Sequence, residues 1–416
     1  MAMSGFEGYR KGDPVTKRIE IGLLMAGLAT FTLLYNTQAI LPYFTRDYSI
    51  SPATAALSVS AATAGLGLGL LVAVPISERI GRVRLIRWSM TLSALLGIGV
   101  ALVDSWELFL VTRFVMGFVL AGLPATAAVY LREEIHRSYA TSATGVYIFG
   151  TTLGGLAGRI VSTGIIDLLD RTGLGERVPF SASHAAMLGT AVIALVCAGA
   201  CWVLLPESRG FSPQRDSAGE LVRKFGRAFR DPVLLALYVT GGLGMGTFVG
   251  AFNVLGFRLE APPYSLGIGA IGLLYLIYPV AGYASVLAGR AADRYSLRAV
   301  LPFGSVIGLV GVLVLAARPL VLVVLGMAIM AMGFFIMHSL ASAWVAVRAT
   351  ATVQVPAQAA SMYMLFYYAG SSINGNLAPL AWESFAWPGV TVLCGSMMAS
   401  AFVLALLLHR SKPAVT

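Results

Sequence analysis

Charge is scarce in this 416-residue chain: Asp, Glu, Lys and Arg together make up 12% of it, against about 25% in an ordinary soluble domain. That scarcity excludes a water-soluble enzyme or regulator. Acid is scarcer than base, with 19 Asp and Glu against 29 Lys and Arg, and the net charge is +10. There are three cysteines, and Cys197, Cys201 and Cys394 fall inside apolar stretches at a spacing that matches no zinc pattern. They read as small apolar groups without a redox role. No phosphate-loop lysine or Walker pattern occurs, so no nucleotide motor is encoded. Glu133, Glu134 and His136 share a short polar loop without a matching set of metal ligands, so no metal, cofactor or enzymatic activity is expected. A sensor should carry a sizeable soluble output segment, and only a few residues follow Arg410.

Apolar residues, by contrast, make up 57% of the chain, and stretches able to cross a hydrocarbon core, which needs roughly 20 helical residues, recur throughout. Twelve are expected, near 19–44, 53–76, 85–103, 107–131, 139–165, 181–205, 232–257, 268–289, 299–317, 319–345, 358–381 and 386–409. The first lacks a small-residue cleavage site and reads as a retained helix. With both termini on the cytoplasmic side, 22 of the 29 Lys and Arg fall in cytoplasmic segments, five in external loops (Arg46, Arg171, Arg177, Arg258, Arg318) and two, Arg113 and Arg159, within helices. That asymmetry is a topology signal. It makes nucleic-acid binding an unneeded explanation of the net charge.

The chain also repeats itself. A Thr-Phe-x-x-x-aromatic-Asn stretch ends at Asn36 and again at Asn253, and further pairs recur in the same order: Met116-Gly117-Phe118 with Met332-Gly333-Phe334, Glu78-Arg79 with Asp293-Arg294, and Tyr147-x-x-Gly150 with Tyr367-x-x-Gly370. The expected fold is therefore all-α, with twelve transmembrane helices in two pseudo-symmetric six-helix bundles, 19–205 and 232–409. They are flanked by cytoplasmic segments 1–18 and 410–416 and joined by a cytoplasmic linker, 206–231. In that linker Leu221, Phe225 and Phe229 recur at helical spacing opposite Arg223, Lys224, Arg227 and Arg230, as in an amphipathic helix on a membrane surface. Gly150, Gly154 and Gly158, and likewise Gly242, Gly246 and Gly250, stand four apart on one helix face, where they permit close helix packing.

Two loops carry the most specific signal. One reads Val74-Pro-Ile-Ser-Glu78-Arg79-Ile-Gly81-Arg82-Val-Arg84 and the other Gly289-Arg-Ala-Ala-Asp293-Arg294-Tyr-Ser-Leu-Arg298. They resemble the two copies of the Gly-x-x-x-Asp-Arg-x-Gly-Arg-Lys/Arg signature of the major facilitator superfamily. Val74, Glu78 and Val83 depart from it in the first copy, and Ser296 and Leu297 in the second. The Arg113-x-x-x-Gly117 element and the Gly-rich run from Gly150 to Arg159, which lacks a Gly-Pro pair, resemble the twelve-helix drug/proton antiporter type. Asn253 to Arg258, His338 to Trp344 and Tyr363 to Gly375 resemble its YnfM-like, sugar-efflux-like branch. The resemblance implies the major facilitator fold, with Glu78, Arg79, Arg82, Asp293 and Arg294 as a charge cluster closing the cytoplasmic mouth. It also implies a coupling role for Arg113.

The residues themselves suggest where a solute would bind. A charge at membrane depth is costly unless it faces water or a partner, so Arg113, Arg159 and His338 lead the candidates. Asn36, Gln38, Tyr147, Asn253, Tyr367 and Asn374 are polar groups on the helices expected to line the cavity. No Asp or Glu lies deep in any stretch; the nearest are Asp104, Glu107 and Asp167. The buried carboxylate that would hold a lipophilic cation is missing, and two arginines favour an anionic or neutral polar solute. Pairing of Arg113 with Glu107 or Asp167, and of Arg159 with Asp167, is the alternative that would cancel this field. The sequence thus suggests a secondary active transporter in a bacterial-type inner membrane, a monomer among membrane lipids. It would be a proton-coupled exporter of a small molecule working by alternating access. Proton-independent uptake or exchange of an organic anion, a lipid flippase on the same fold, and a membrane sensor are the alternatives.

Overall fold

The structure, a computed structural model, describes residues 6–177, 181–211 and 217–410. Parts of three segments expected from the sequence, namely 1–5, 212–216 of the linker and 411–416, lie outside the described residues. Backbone polar groups find no water in hydrocarbon and must be satisfied within helices. Accordingly, the described residues form helices and no β-strand, with one isolated bridge between Tyr9 and Ile135.

Asp13 caps α1 (Pro14–Tyr35), accepting the Val15 N–H at 2.8 Å, and Pro14 fills a first-turn position whose N–H would have been orphaned. The helix breaks at Asn36 and Thr37, passes through a 3-10 turn (Gln38–Ile40) and resumes as α2 (Leu41–Asp47). Next come α3 (Pro52–Ile80), α4 (Arg82–Val100), α5 (Trp106–Leu120), α6 (Gly122–Glu134), α7 (Ala140–Thr172) and α8 (Ala182–Leu204). Between the two halves lies α9 (Ala218–Arg230). The second half comprises α10 (Pro232–Glu260), α11 (Ile268–Leu274), α12 (Ile277–Tyr295), α13 (Leu297–Leu315), α14 (Leu320–Thr352) and α15 (Pro356–His409). Among the described residues, eleven helical stretches are long and apolar enough to cross a membrane. The 54-residue α15 bends at Ala386, where φ is 50° and ψ −152°, so it supplies two of twelve spans. The two spans expected at 358–381 and 386–409 are continuous in α15 and meet at Ala386.

The described chain divides into two compact units, one of residues 1–43 and 64–216 and the other of 44–63 and 217–416. The division expected from the sequence placed 44–63 with the first bundle. Specific polar contacts hold that segment in the second unit: Glu383 accepts the Ala53 N–H at 2.6 Å, Thr63 meets Ser372 at 2.8 Å, and Arg46 pairs with Glu260 at 2.9 Å.

Glycine fixes the helix seams. In the first unit a Cβ at Gly154 would stand 2.4 Å from the Leu28 carbonyl oxygen, and one at Gly158 2.6 Å from that of Thr32, so α7 lies backbone-to-backbone on α1. In the second unit Gly242 and Gly246 take the same role for α10 against α15. Gly370, across that seam, is tighter still, since a Cβ there would meet the Gly242 carbonyl oxygen at 2.0 Å. Gly370→Val should therefore cost about 3 kcal/mol or more by overpacking and appear as a lowered melting temperature in detergent.

Asp231 ties the start of α10 to the end of α14. One carboxylate oxygen accepts the Val233 and Leu234 N–H groups, and the other accepts from Arg348 Nε at 2.9 Å and Thr352 Oγ1 at 3.1 Å. Burial alone would raise this carboxyl's pKa, but the Leu234 N–H and the Arg348 guanidinium outweigh it and hold it below the usual range. A carboxyl whose folded pKa is depressed stabilises above its unfolded value of about 4 and loses that contribution as pH falls through the folded value. Asp231→Asn keeps a capping oxygen but removes the charge. The wild type's margin over it, about 0.5–1 kcal/mol at neutral pH, should shrink toward zero as melting is followed below about pH 4.

Candidate functional site

The break after α1 organises the polar core of the first unit. A helix end leaves carbonyls without intrahelical partners, and cations are favoured there. Arg113, projecting from α5 and fully buried, occupies that end. Its Nη1 donates to the Leu33 carbonyl oxygen at 2.7 Å and to Asn36 Oδ1 at 3.1 Å. Its Nη2 donates to the Leu34 carbonyl oxygen at 3.0 Å and to Thr37 Oγ1 at 3.2 Å. Asn36 in turn donates to Thr190 Oγ1 on α8 at 2.8 Å. At the residue after Thr37, Gln38 Oε1 accepts from both Nε and Nη2 of Arg159, whose Nη1 donates to the Gly155 carbonyl oxygen. The Arg159 guanidinium also lies 4.6 Å from the centre of the Tyr35 ring.

Asn36, Gln38, Arg113 and Arg159 thus meet around one broken helix. Of the acids proposed as alternative partners, Glu107 accepts from Ser105 Oγ at 2.8 Å and Asp167 pairs with Arg171 at 2.8 Å. Tyr147, buried on α7, stands three helical turns from Arg159 and outside this network. Thr37 and Thr190 belong to the network but went unrecognised in the sequence, where a lone threonine in an apolar run carries no signal.

In the second unit the candidates fall into two groups. His338 Nδ1 lies 2.9 Å from the Tyr363 hydroxyl, and the ring stacks with Phe334 at 5.8 Å and meets the tilted Tyr367 ring at 4.8 Å between centres. Asn253 and Asn374 instead serve the α10–α15 seam. Asn253 Nδ2 donates to the Gly375 carbonyl oxygen at 2.9 Å and Asn374 Nδ2 to that of Gly246 at 2.7 Å, as expected of amides that hold helices together in lipid. Asn374 Oδ1, buried, has no donor among the described residues.

Of the loop residues in the first unit, the structure joins Glu78 and Arg82. Arg82, 4% exposed, bonds Glu78 at 2.7 Å, Glu133 at 3.1 Å and Ser77 Oγ at 2.5 Å, while Arg79 is exposed. Glu133 and Glu134, read from the sequence only as loop acids, are structural here. Glu134 Oε1 gathers the Ser208 hydroxyl and the Arg209 and Gly210 N–H groups, all within 2.7 Å. In the second unit Asp293 and Arg294 are both exposed, and neither forms an ion pair among the described residues. Arg258 corrects another expectation. Placed in an external loop by sequence, it is a buried residue of the last turn of α10.

These features agree with the relationships of the chain. Residues 23–373 match the Major Facilitator Superfamily. The chain is 36% identical to the uncharacterised MFS-type transporter YybF of Bacillus subtilis (strain 168) over 402 residues, covering 97% of this chain and 96% of the relative. It is 35% identical to the inner membrane transport protein YnfM of Escherichia coli (strain K12), covering 96% and 93%. A bacterial homologue of the human lysosomal transporter Spinster, inward-facing and unoccupied, shares the fold with a TM-score of 0.74 at 15% identity, covering 96% of this chain and 98% of that one. The nucleoside transporter NupG does so with a TM-score of 0.72 at 14% identity, covering 94% and 98%. The chain belongs to the major facilitator superfamily. It is a multi-pass membrane transporter.

Proposed function

We propose that the protein exports a small anionic or neutral polar organic solute across a bacterial inner membrane in exchange for protons, by alternating access, as a monomer with both termini cytoplasmic. The observation that carries the substrate class is the pair of buried guanidinium groups, Arg113 and Arg159, bonded to carbonyl, amide and hydroxyl oxygens. A guanidinium fork suits a carboxylate or phosphate, and two of them in one polar core favour an oxyanion or a neutral polar solute over a cation. The proton-coupled and outward character rests on the resemblance to drug/proton antiporters, and the orientation on the distribution of Lys and Arg. His338, held against Tyr363 and Tyr367 within the apolar bundle, is the candidate proton carrier. Glu78, Arg79, Arg82, Asp293 and Arg294 form the proposed cytoplasmic gate, for which the Arg82–Glu78–Glu133 cluster supplies an anchored first half.

Flux into and out of proteoliposomes tests this directly, with organic anions, sugars and lipophilic cations offered with and without an imposed pH gradient. Anion or sugar movement that acidifies or alkalinises the lumen only when substrate is present supports the proposal. Selective cation movement, or anion movement indifferent to the gradient with no accompanying proton flux, refutes it.

A further inference from the structure

The far end of α10 from α9 holds a second concentration of positive charge, remote in sequence from Arg113 and Arg159. Arg258, 7% exposed, donates to the carbonyl oxygens of Leu315 and Ala317 at the end of α13 and to the Tyr264 hydroxyl. Its guanidinium lies 4.3 Å from the centre of the Trp387 ring. None of these partners carries charge, and among the described residues neither Arg258 nor Arg318 forms an ion pair. The two acids that adjoin cavity-lining residues in sequence, Glu260 beside Ala261 and Glu383 beside Trp382, bond Arg46 and the Ala53 N–H respectively. Arg258 and Arg318 line a single cavity of about 380 Å³ together with Tyr264, Trp382 and Trp387. The Trp387 Nε1–H is buried and finds no acceptor among the described residues. Uncompensated cations and an orphaned donor around one cavity describe a receptacle for an anion with several oxygens.

What adjoins it identifies the source of that anion. Pro388 is shared with a second cavity of about 580 Å³, lined by Leu377, Phe385, Gly389 and Val392 between the two limbs of α15. This cavity is apolar, and its walls face the lipid: Phe385 and Val392 are each 72% exposed. Tryptophan and tyrosine mark the headgroup level of a bilayer, and here Tyr264, Trp382 and Trp387 surround the cationic cavity while the apolar one continues along the helices. A free anion has no use for the apolar groove, and a zwitterionic lipid would bring its own cation to the arginines.

We propose that this paired cavity binds an anionic phospholipid of the leaflet at that end of α10, its phosphodiester between Arg258 and Arg318 and an acyl chain in the groove between the limbs of α15. Binding would brace the turn at Ala386 against the ends of α10 and α13.

The test is native mass spectrometry of delipidated protein titrated with phosphatidylglycerol or phosphatidylethanolamine of matched chains, together with thermal melting in detergent. Arg318 is exposed and Val392 faces lipid, so Arg318→Gln and Val392→Trp should both fold. Wild type should retain phosphatidylglycerol in preference to phosphatidylethanolamine. Arg318→Gln should lower that retention about fivefold, the factor expected for one cation at an anionic headgroup. Val392→Trp should lower retention of the lipid by filling the groove while leaving the arginines untouched. Equal retention of the two lipids by wild type, or undiminished phosphatidylglycerol binding in both variants, would overturn the proposal. Inorganic phosphate that raises the melting temperature as much as phosphatidylglycerol would assign the cavity to a free anion and equally overturn it.

Discussion

Replacing Arg113 by lysine should reduce solute flux about 100-fold, the equivalent of roughly 2.7 kcal/mol in the transport barrier, while the protein still folds and inserts. The reason lies in the shape of the group as well as its charge. Arg113 reaches four acceptors on one turn of chain, two of them backbone carbonyls released where α1 breaks. A planar fork can meet several fixed acceptors at once, whereas an ammonium is a compact point donor on a flexible stem. Lysine therefore keeps the positive charge but releases part of the Leu33 to Thr37 segment, which also positions Gln38 for Arg159. Arg113→Ala goes further. Each buried acceptor left without a donor costs about 1–3 kcal/mol, so that variant should also melt well below wild type. Comparing counterflow in proteoliposomes with melting separates the two effects. Native flux through the lysine variant would mean that charge alone suffices and that the fork has no part in transport.

Gln38→Glu should lower anion flux by about 10- to 100-fold, matching the 1.5–3 kcal/mol typical of a hydrogen bond to a charged group. The substitution exchanges an amide for a carboxylate of the same shape, at an atom that already accepts from Arg159 Nε at 2.9 Å. Packing is preserved, and the new ion pair should neutralise Arg159. If the positive field of the first unit selects the solute, anion transport falls and sugars are affected least. A Gln38→Glu protein that moves organic anions at the wild-type rate would remove Arg159 from solute recognition and leave it as a fastening between α7 and the broken end of α1. Both variants can be read in one flux assay, and neither requires the physiological substrate to be known if a panel of anions and sugars is offered.

Much of the architecture was legible in the sequence because membrane insertion leaves coarse marks. A hydrocarbon core demands long apolar runs, and duplication leaves matching residues such as Asn36 and Asn253. Close helix approach, for its part, demands glycine at four-residue spacing, which the Gly154 and Gly246 contacts bear out. The polar core was legible only in part. Intramembrane arginines such as Arg113 and Arg159 stand out against an apolar background. Their partners do not, because backbone carbonyls of Leu33, Leu34 and Gly155 have no signature in residue type. The helix break at Asn36 and Thr37 was hidden for a related reason, since a polar pair near the end of a span looks the same whether the helix continues or stops. Sequence alone places Arg258 outside the helix because the end of an apolar run resembles a loop. Its burial depends on the ends of α13 and on Trp387, which are distant in sequence. Chain order groups residues 44–63 with the first bundle, whereas their contacts with Glu383, Ser372 and Glu260 are tertiary.

The bend at Ala386 has a mechanical meaning. Two spans joined by a flexible loop can piston past one another along the membrane normal, each with its own axial freedom. The halves of α15 share one residue as their elbow, and the Gly389 backbone is pressed so near the Ala381 carbonyl oxygen that an added Cβ would stand 2.7 Å from it. Axial thrust on one limb must reach the other almost undiminished, so the pair behaves as a single lever arm rather than as two independent rods.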